Sequence, residues 1–136
     1  MKQDLIIYTD GGAKGNPGPA AVGVLIVNTI GLEIFRESKR IGNATNNTAE
    51  YLAVLEALDW VVKNFQEETK SIKFLLDSNL VVNQLNGKFK IKKGHLRDLS
   101  LKIKNLEKLL GIKITYNFIP REKNKIADFL VNQSFK

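Results

Sequence analysis

The order in which strand and helix patterns follow one another limits the folds open to this chain. Five short apolar runs are typical of strands, at residues 5–9, 22–27, 33–38, 72–76 and 112–119. Consecutive strands favour antiparallel pairing, whereas strands separated by a helix favour parallel pairing. The sequence therefore predicts one α/β domain over residues 1–136, with a five-stranded mixed sheet and helices on both of its faces.

Four helical patterns complete the order β-β-β-α-β-α-α-β-α, at residues 48–65, 77–87, 96–110 and 121–135. We expect the first helix to be capped near Asn47 or Thr48. Gly87 and Gly111 are placed to end the second and third helices. Residues 28–31 suit a hairpin turn between the second and third strands.

Composition excludes several classes of site. The 136 residues include no Cys and a single His, which rules out disulfides, thiolate metal sites and His-rich zinc sites. No run approaches the roughly 20 apolar residues that span a bilayer, and the first residues lack a signal-peptide pattern. We therefore expect a cytoplasmic protein with no membrane partner.

Positive charge is concentrated in one segment. The net charge is +7, and residues 88–104 hold seven Lys or Arg against one acid, Asp98. Such a segment is often only a solvated face, but Phe89 and Ile91 are interleaved with the lysines. Basic residues mixed with aromatic ones favour a nucleic-acid partner.

Two carboxylates follow apolar strands. Asp10 is followed by a loop rich in Gly and Pro, and Asp77 follows the fourth strand pattern. If these strands are parallel neighbours, the two carboxylates meet at the end of the sheet where ligands gather. The alternatives are a turn-forming Asp10 and an Asp77 that only caps the next helix.

Glu50 is out of place on its helix. At 3.6 residues per turn it shares a face with Ala53, Val54 and Val61, which should meet the sheet. A buried carboxylate needs a cation, a hydrogen-bond network or a raised pKa, and no Lys or Arg lies on that face. A surface position near the positive end of the helix dipole is the alternative.

Asp128 interrupts an apolar run in the last helix, KIADFL. It is either a fourth functional carboxylate or a partly exposed residue paired with Lys125 one turn earlier on the same face. Four carboxylates without His or Cys form an oxygen-rich site that suits Mg²⁺ or Mn²⁺. Two such ions can activate water and stabilise the leaving oxygen of a phosphodiester. Gly11 and Gly12 would let a nucleic-acid backbone approach Asp10 closely.

Taken together, the segments YTDGGAKGNPGPA, NNTAEYLAVLEAL, LDSNLVVNQLNG and PREKNKIADFLVN resemble ribonuclease H type 1. They occur in the family's order and cover essentially the whole chain. The resemblance implies a ribonuclease H-like fold. It also implies a monomeric endonuclease that hydrolyses the RNA strand of RNA–DNA hybrids to 3′-hydroxyl and 5′-phosphate ends.

The same resemblance assigns roles to residues. It implies that the family's metal-binding quartet for two Mg²⁺ ions corresponds here to Asp10, Glu50, Asp77 and Asp128. Asp10 would bridge both ions, and Asp128 would bind the ion that activates water. Glu50 and Asp77 would bind the ion near the leaving group. The residues implied in substrate binding are Gly11, Gly12, Asn16, Asn46, Asn47 and Asn79 in the minor groove, and Thr45 at a DNA phosphate. Amide side chains can donate to and accept from a 2′-hydroxyl.

The sequence departs from longer relatives in two respects. It has no extra helix and basic protrusion, so we expect Lys90, Lys92 and Lys93 to contribute to substrate binding. Many members carry a His before the last helix, where this chain reads PREKNK. His95 lies in another segment and is not predicted to be catalytic; Arg121, or else Glu122, is the candidate for that role.

Two other functions remain open at this point. One is a related nuclease that also cuts double-stranded RNA, since both duplexes approach A-form geometry. The other is a hybrid-binding module without catalysis. The intact set of four carboxylates favours an enzyme, because a pure binder gains nothing from acids that face phosphates.

Overall fold

The computed structural model describes residues 1–136 and has the predicted order of elements. The strands are β1 (Gln3–Ala13), β2 (Gly18–Asn28), β3 (Glu33–Ala44), β4 (Thr69–Leu76) and β5 (Lys113–Phe118). The helices are α1 (Asn46–Asn64), α2 (Asn79–Leu85), α3 (Gly94–Leu110) and α4 (Lys125–Gln133), and short 3₁₀ turns cover Gln66–Glu68 and Arg121–Lys123.

The sheet is mixed, as predicted, with the strand order β3-β2-β1-β4-β5. β1, β2 and β3 pair antiparallel, and β4 pairs parallel with both β1 and β5. A crossover through α1 therefore separates β3 from β4, which lies beside β1 at the centre of the sheet. This arrangement brings the carboxyl ends of β1 and β4 together.

Helices cover both faces of the sheet. α1 and α3 pack on one face, where Ile7 of β1, Phe74 of β4, Leu58 of α1 and Ile103 of α3 share one fully enclosed core. α4 packs on the other face, against β1 and β2, through the buried residues Ala127, Leu130 and Val131. The two layers on the sheet confirm the predicted fold class.

Several element boundaries differ from the predicted ones. β1 continues for four residues past Thr9, because residues 10–13 pair with β2. α1 begins at Asn46 rather than near Thr48, because the Thr45 hydroxyl accepts a hydrogen bond from the Thr48 N–H at 3.1 Å. Thr45 is therefore the N-cap, and the predicted caps at Asn47 and Thr48 are wrong.

The connection from α2 to β5 is short. It consists of residues 86–93 and the single helix α3, which ends at Gly111 with a positive φ of 61°. Glycine adopts that conformation without a Cβ penalty. The predicted absence of an extra helix and protrusion is confirmed.

None of the four helices combines the length and apolar character that crossing a bilayer requires.

Candidate active site

Asp10 and Asp77 lie where β1 and β4 separate. The last residue pair between these strands joins Tyr8 to Leu75, so Asp10 is two residues beyond it and Asp77 directly follows β4. Asp10 does not end its strand or form a turn, as it still pairs with Gly23 of β2. The two carboxylates thus occupy one notch at the carboxyl edge of the parallel strands.

A glycine contact brings Glu50 to the same notch. A Cβ on Gly11 would lie 2.2 Å from the carbonyl carbon of Ala49, so only glycine lets α1 approach β1 this closely. Glu50 accepts a hydrogen bond from the Gly11 N–H at 2.5 Å and is 5% exposed. The approach of α1 by itself requires glycine at this position, and access for a nucleic-acid backbone at Gly11 stays a prediction.

On the opposite face of the sheet, a second glycine, Gly23, allows close contact between a helix and a strand. A Cβ on Gly23 would lie 2.3 Å from the carbonyl oxygen of Ala127, so α4 sits directly on β2. Asp128, the next residue of α4, lines the cleft that contains Asp10. Gly12 has an ordinary clearance, since its Cβ would lie 3.5 Å from Val131. Two helices on opposite faces thus deliver one carboxylate each.

Three of the carboxylates form a compact cluster. One oxygen from each of Asp10, Glu50 and Asp77 lies within 4.8 Å of the other two. Burial, followed by repulsion from Asp77 and Asp128, raises the pKa of Asp10 to about 7. Burial, followed by repulsion from Asp10 and Asp77, also raises the pKa of Glu50 well above its ordinary value. A divalent cation among these oxygens would offset that repulsion.

The structure also tests the purely structural roles that the sequence left open for Asp77, Glu50 and Asp128. Ser78, not Asp77, caps α2, since its hydroxyl accepts from the Val81 N–H at 3.3 Å. Glu50 lies outside the first turn of α1, which contains no acid. Asp128 pairs with Arg121 at 3.8 Å, not with Lys125. The simpler explanations for Asp77 and Glu50 therefore do not apply, whereas Asp128 is partly exposed and paired with a cation other than the expected Lys125.

Asn124 links three parts of the site. It is 1% exposed, and its side-chain N–H₂ donates to the Thr9 carbonyl at 2.9 Å and to Asp77 Oδ2 at 3.0 Å. Its own carbonyl accepts from the backbone N–H of Asp128 at 3.1 Å. Asn124 therefore fixes the Asp77 carboxylate against β1 and starts the helix turn that carries Asp128.

The carboxylates line an open cleft of about 430 Å³. Of the other predicted site residues, Gly11, Gly12, Asn46, Asn47 and Arg121 line it too. The lining also includes residues that the sequence did not single out, namely Ala13, Lys14, Ser78, Val131, Asn132 and Phe135. Lys14 and Arg121 are the only cations in this lining, so negative charge dominates the floor of the cleft.

Hydrogen bonds join the Gly/Pro loop to the start of α1. Asn16 Oδ1 accepts from the Asn46 N–H, and Asn46 Oδ1 accepts from the Ala13 N–H, both at 2.9 Å. The Asn46 oxygen is thereby engaged, while its N–H₂ group stays available to a ligand. Thr45 does not line the cleft, and its hydroxyl is occupied by Thr48.

The predicted basic residues lie outside the carboxylate cleft. Lys90, Lys92 and Lys93 belong to residues 88–93, which we call the basic loop, between α2 and α3. Asn79, the first residue of α2, is two positions from Asp77 and accepts from the Asn83 side chain at 3.1 Å. It is not part of the cleft lining either.

His95 sits beside the start of α1. Its Nε2 lies 3.1 Å from the Thr48 hydroxyl, and it does not line the cleft. This contact places the end of the basic loop next to the helix turn that contains Asn46 and Asn47. Arg121, by contrast, lies in the cleft beside Asp128, as the sequence predicted for a residue near the carboxylates.

Two groups of site residues carried weak sequence signals. Asn124 precedes α4 in KNKIAD, a position that is typical of an ordinary helix cap. Its spacing of four residues from Asp128 is the one feature of the sequence that indicates a link to the site. Lys14 and Phe135 are far apart in sequence, and only the packing of α4 on the sheet brings them together. No local pattern predicts such a contact.

Comparison with known proteins agrees with this geometry. A family model described as reverse transcriptase-like matches residues 8–134. The bifunctional protein Rv2228c of Mycobacterium tuberculosis is 38% identical over 131 residues, covering 96% of this chain and 35% of that protein. The chain thus spans about a third of that relative's length, and 62% of the length of ribonuclease HI from Halobacterium salinarum, which is 38% identical over 93% of this chain.

Solved structures extend the likeness to a protein of similar size. LC11-RNase H1, isolated from compost by a metagenomic approach, is 39% identical, with a TM-score of 0.89 over 97% of this chain and 95% of that one. The same protein in complex with an RNA/DNA hybrid gives a TM-score of 0.90. Agreement in sequence, fold and length at this level means that the chain belongs to the reverse transcriptase-like family, among the ribonuclease H type 1 proteins.

Proposed function

We propose that residues 1–136 act as one catalytic domain, an endoribonuclease that hydrolyses the RNA strand of RNA–DNA hybrids. The cleavage leaves 3′-hydroxyl and 5′-phosphate ends. The observation that carries the proposal is the cluster of Asp10, Glu50 and Asp77, in which Asp10 and Glu50 are buried and no carboxylate is paired with a Lys or Arg. The hybrid complex of LC11-RNase H1, which shares this fold, supports the choice of substrate.

The donor set fits a hard divalent cation. All candidate ligands are carboxylate oxygens, which suit Mg²⁺ and, as a substitute, Mn²⁺. Asp10, Glu50, Asp77 and Asp128 would hold two such ions, which when bound supply an activated water and charge stabilisation at the leaving oxygen. The raised pKa of Asp10 supports this role, because the pocket disfavours its carboxylate unless positive charge is nearby.

The chain's own residues then orient the substrate. Asn46 and Asn47 line the cleft one helix turn before Glu50, and Gly11, Gly12 and Asn16 lie on the facing strand and loop. Together with Asn79 they are proposed to read 2′-hydroxyl groups on the RNA strand. Thr45 and the lysines of the basic loop are proposed to contact phosphates, and Arg121 to assist near Asp128. A monomeric state and a cytoplasmic location are part of the same proposal.

A cleavage assay on three duplexes tests the proposal. Matched RNA–DNA hybrid, double-stranded RNA and double-stranded DNA are incubated with the protein in Mg²⁺, in Mn²⁺ and in EDTA. We expect rapid cutting of the RNA strand of the hybrid, none with EDTA, and none with Asp10→Asn. Hybrid binding without cutting in either metal would identify a binding module, and equal cutting of double-stranded RNA would widen the substrate class.

A further inference from the structure

Two cations share one aromatic ring at the wall of the cleft. Lys14 Nζ lies 5.1 Å from the centroid of the Phe135 ring, and Arg40 Cζ lies 5.7 Å from it. These distances are within the range of cation–π attraction. The three residues come from the Gly/Pro loop, from β3 and from the end of the chain, so the contact is built by the fold and not by local sequence.

Each member of this group is held by further contacts. The Lys14 N–H donates to the Pro19 carbonyl at 2.8 Å, which closes the Gly/Pro loop beneath the side chain. Arg40 Nε donates to the Ser134 carbonyl at 2.7 Å, next to Phe135. The backbone of Lys14 and the side chain of Arg40 are therefore held beside Phe135, and Lys14 and Phe135 line the cleft.

The two cations have no acidic partner. The five ion pairs of the fold involve other residues, and neither Lys14 nor Arg40 takes part in any of them. Two like charges beside one ring repel each other. An anion from outside the chain would complete the arrangement.

We propose that Lys14 and Arg40, held by Phe135, form a phosphate-contact site for the nucleic-acid backbone at the edge of the cleft, on the β3 side. This inference rests on the proposed function, because the duplex that enters the cleft supplies the phosphates. The site lies on the wall built by the Gly/Pro loop, β3 and the chain end, whereas the basic loop follows α2. Phe135 is a positioning residue, since it acts through the two cations.

Binding measured without cleavage tests the site directly. In the Asp10→Asn background, a fluorescent RNA–DNA hybrid is titrated by anisotropy at several KCl concentrations. We expect the double variant Lys14→Ala/Arg40→Ala to bind roughly tenfold more weakly and to lose about 1 to 2 units of the log–log salt slope, as expected for one or two phosphates. Lys63→Ala/Lys70→Ala, which removes two exposed lysines that do not line the cleft, is the matched control and should leave the slope unchanged.

Substitution of the ring separates positioning from simple packing. Phe135→Leu keeps apolar bulk but removes the π face, so KM for the hybrid should rise severalfold in the cleavage-competent protein while kcat changes little. Phe135→Tyr keeps the π face and should restore KM. Equal effects of Leu and Tyr would show a packing role only and would overturn the positioning role of Phe135.

The outcomes distinguish this inference from the proposed function. If the wild type cuts the hybrid in Mg²⁺ and the double variant binds with the wild-type slope, the phosphate site is wrong and the proposed function stands. If the Asp10→Asn protein does not bind the hybrid and the wild type does not cut it, both are wrong.

Discussion

Asp10 is a carboxylate that the fold keeps close to three others. Its pKa is raised from 3.8 to about 7, first by burial and then by repulsion from Asp77 and Asp128. Between these two pH values the folded chain holds a proton that the unfolded chain has released. Without metal, stability therefore falls as the pH rises through this range, and the full cost is present above about pH 7.

Removing this charge should stabilise the metal-free protein. Asp10→Asn keeps the shape of the side chain, so we expect its free energy of unfolding at pH 8 to exceed that of the wild type by roughly 1 to 4 kcal/mol. The difference should shrink as the pH falls through this range and vanish below 3.8, where the wild-type carboxyl becomes neutral in both states. Urea unfolding in EDTA across this pH range measures it, and equal stability at pH 8 would contradict the raised pKa.

Asn124 should act on metal affinity through Asp77. Asn124→Ala removes the donor that fixes the Asp77 carboxylate, and loss of such a partner typically weakens a metal site by about 10- to 100-fold. Calorimetric titration of the variant with Mn²⁺ measures this directly, at a temperature where it remains folded. Asn117→Ala is the control, as it removes a side-chain hydrogen bond to the sheet at Phe74 and should leave the affinity unchanged.

Arg121 should influence turnover, whereas His95 should not. Arg121 lines the cleft 3.8 Å from Asp128, and its guanidinium can contact a phosphate with two donors. We expect Arg121→Ala to lower kcat by roughly tenfold or more, and His95→Ala, outside the cleft, to leave kcat and its pH profile nearly unaltered. A kcat that depends on His95 but not on Arg121 would reverse this assignment.

At the scale of elements, the basic loop is attached to its neighbours by its backbone. Gln84 of α2 donates to the Lys90 carbonyl at 3.3 Å, and Arg97 of α3 donates to the Lys92 carbonyl at 3.1 Å. Tyr51 of α1 in turn donates to the Gln84 side chain at 2.7 Å. The lysine side chains are left free while the loop that carries them is held against the core.

The loop should therefore contribute charge to substrate binding. Changing Lys90, Lys92 and Lys93 together to Ala should weaken hybrid binding and reduce the log–log salt slope by roughly one unit for each phosphate that the loop no longer neutralises. The matched control changes the same number of charges at Lys2, Lys70 and Lys113, which lie at the amino ends of β1, β4 and β5. Salt slopes that are equal for the two triple variants would mean that the loop is only a solvated face.

The packing of the elements explains which site residues could be predicted from the sequence and which could not. Glu50 was predictable because helical periodicity places it on the face of Val54 and Val61, which the core buries. Asp128 was predicted because it interrupts an apolar run, but that run is not uniformly buried, since Phe129 beside it is 55% exposed. The apolar run is therefore weaker evidence for a functional carboxylate than the helical periodicity around Glu50. The packing role of Gly11 was not predictable, because its close contact with α1 depends on tertiary packing, which local patterns do not contain.

At the scale of the whole molecule, the cleft is assembled from separate parts of the chain. β1 supplies Gly11 and Gly12, the start of α1 supplies Asn46 and Asn47, and α4 supplies Asp128. Because these groups surround the carboxylates, a bound strand must pass several of them on its way through the cleft. Recognition of RNA is therefore expected to involve more than one ribose.

A hybrid with one isolated ribonucleotide should consequently be a poor substrate. Each missing hydrogen bond to a 2′-hydroxyl costs about 1 kcal/mol, so the absence of two or three such bonds should slow cleavage by roughly 30- to 200-fold relative to a run of ribonucleotides. The measurement is kcat/KM on duplexes of one length that carry one, two or four consecutive ribonucleotides, with an all-RNA strand as reference. If the single ribonucleotide is cut as fast as the run, reading by Asn46 and Asn47 on several riboses is wrong, and the cleft recognises the scissile nucleotide alone.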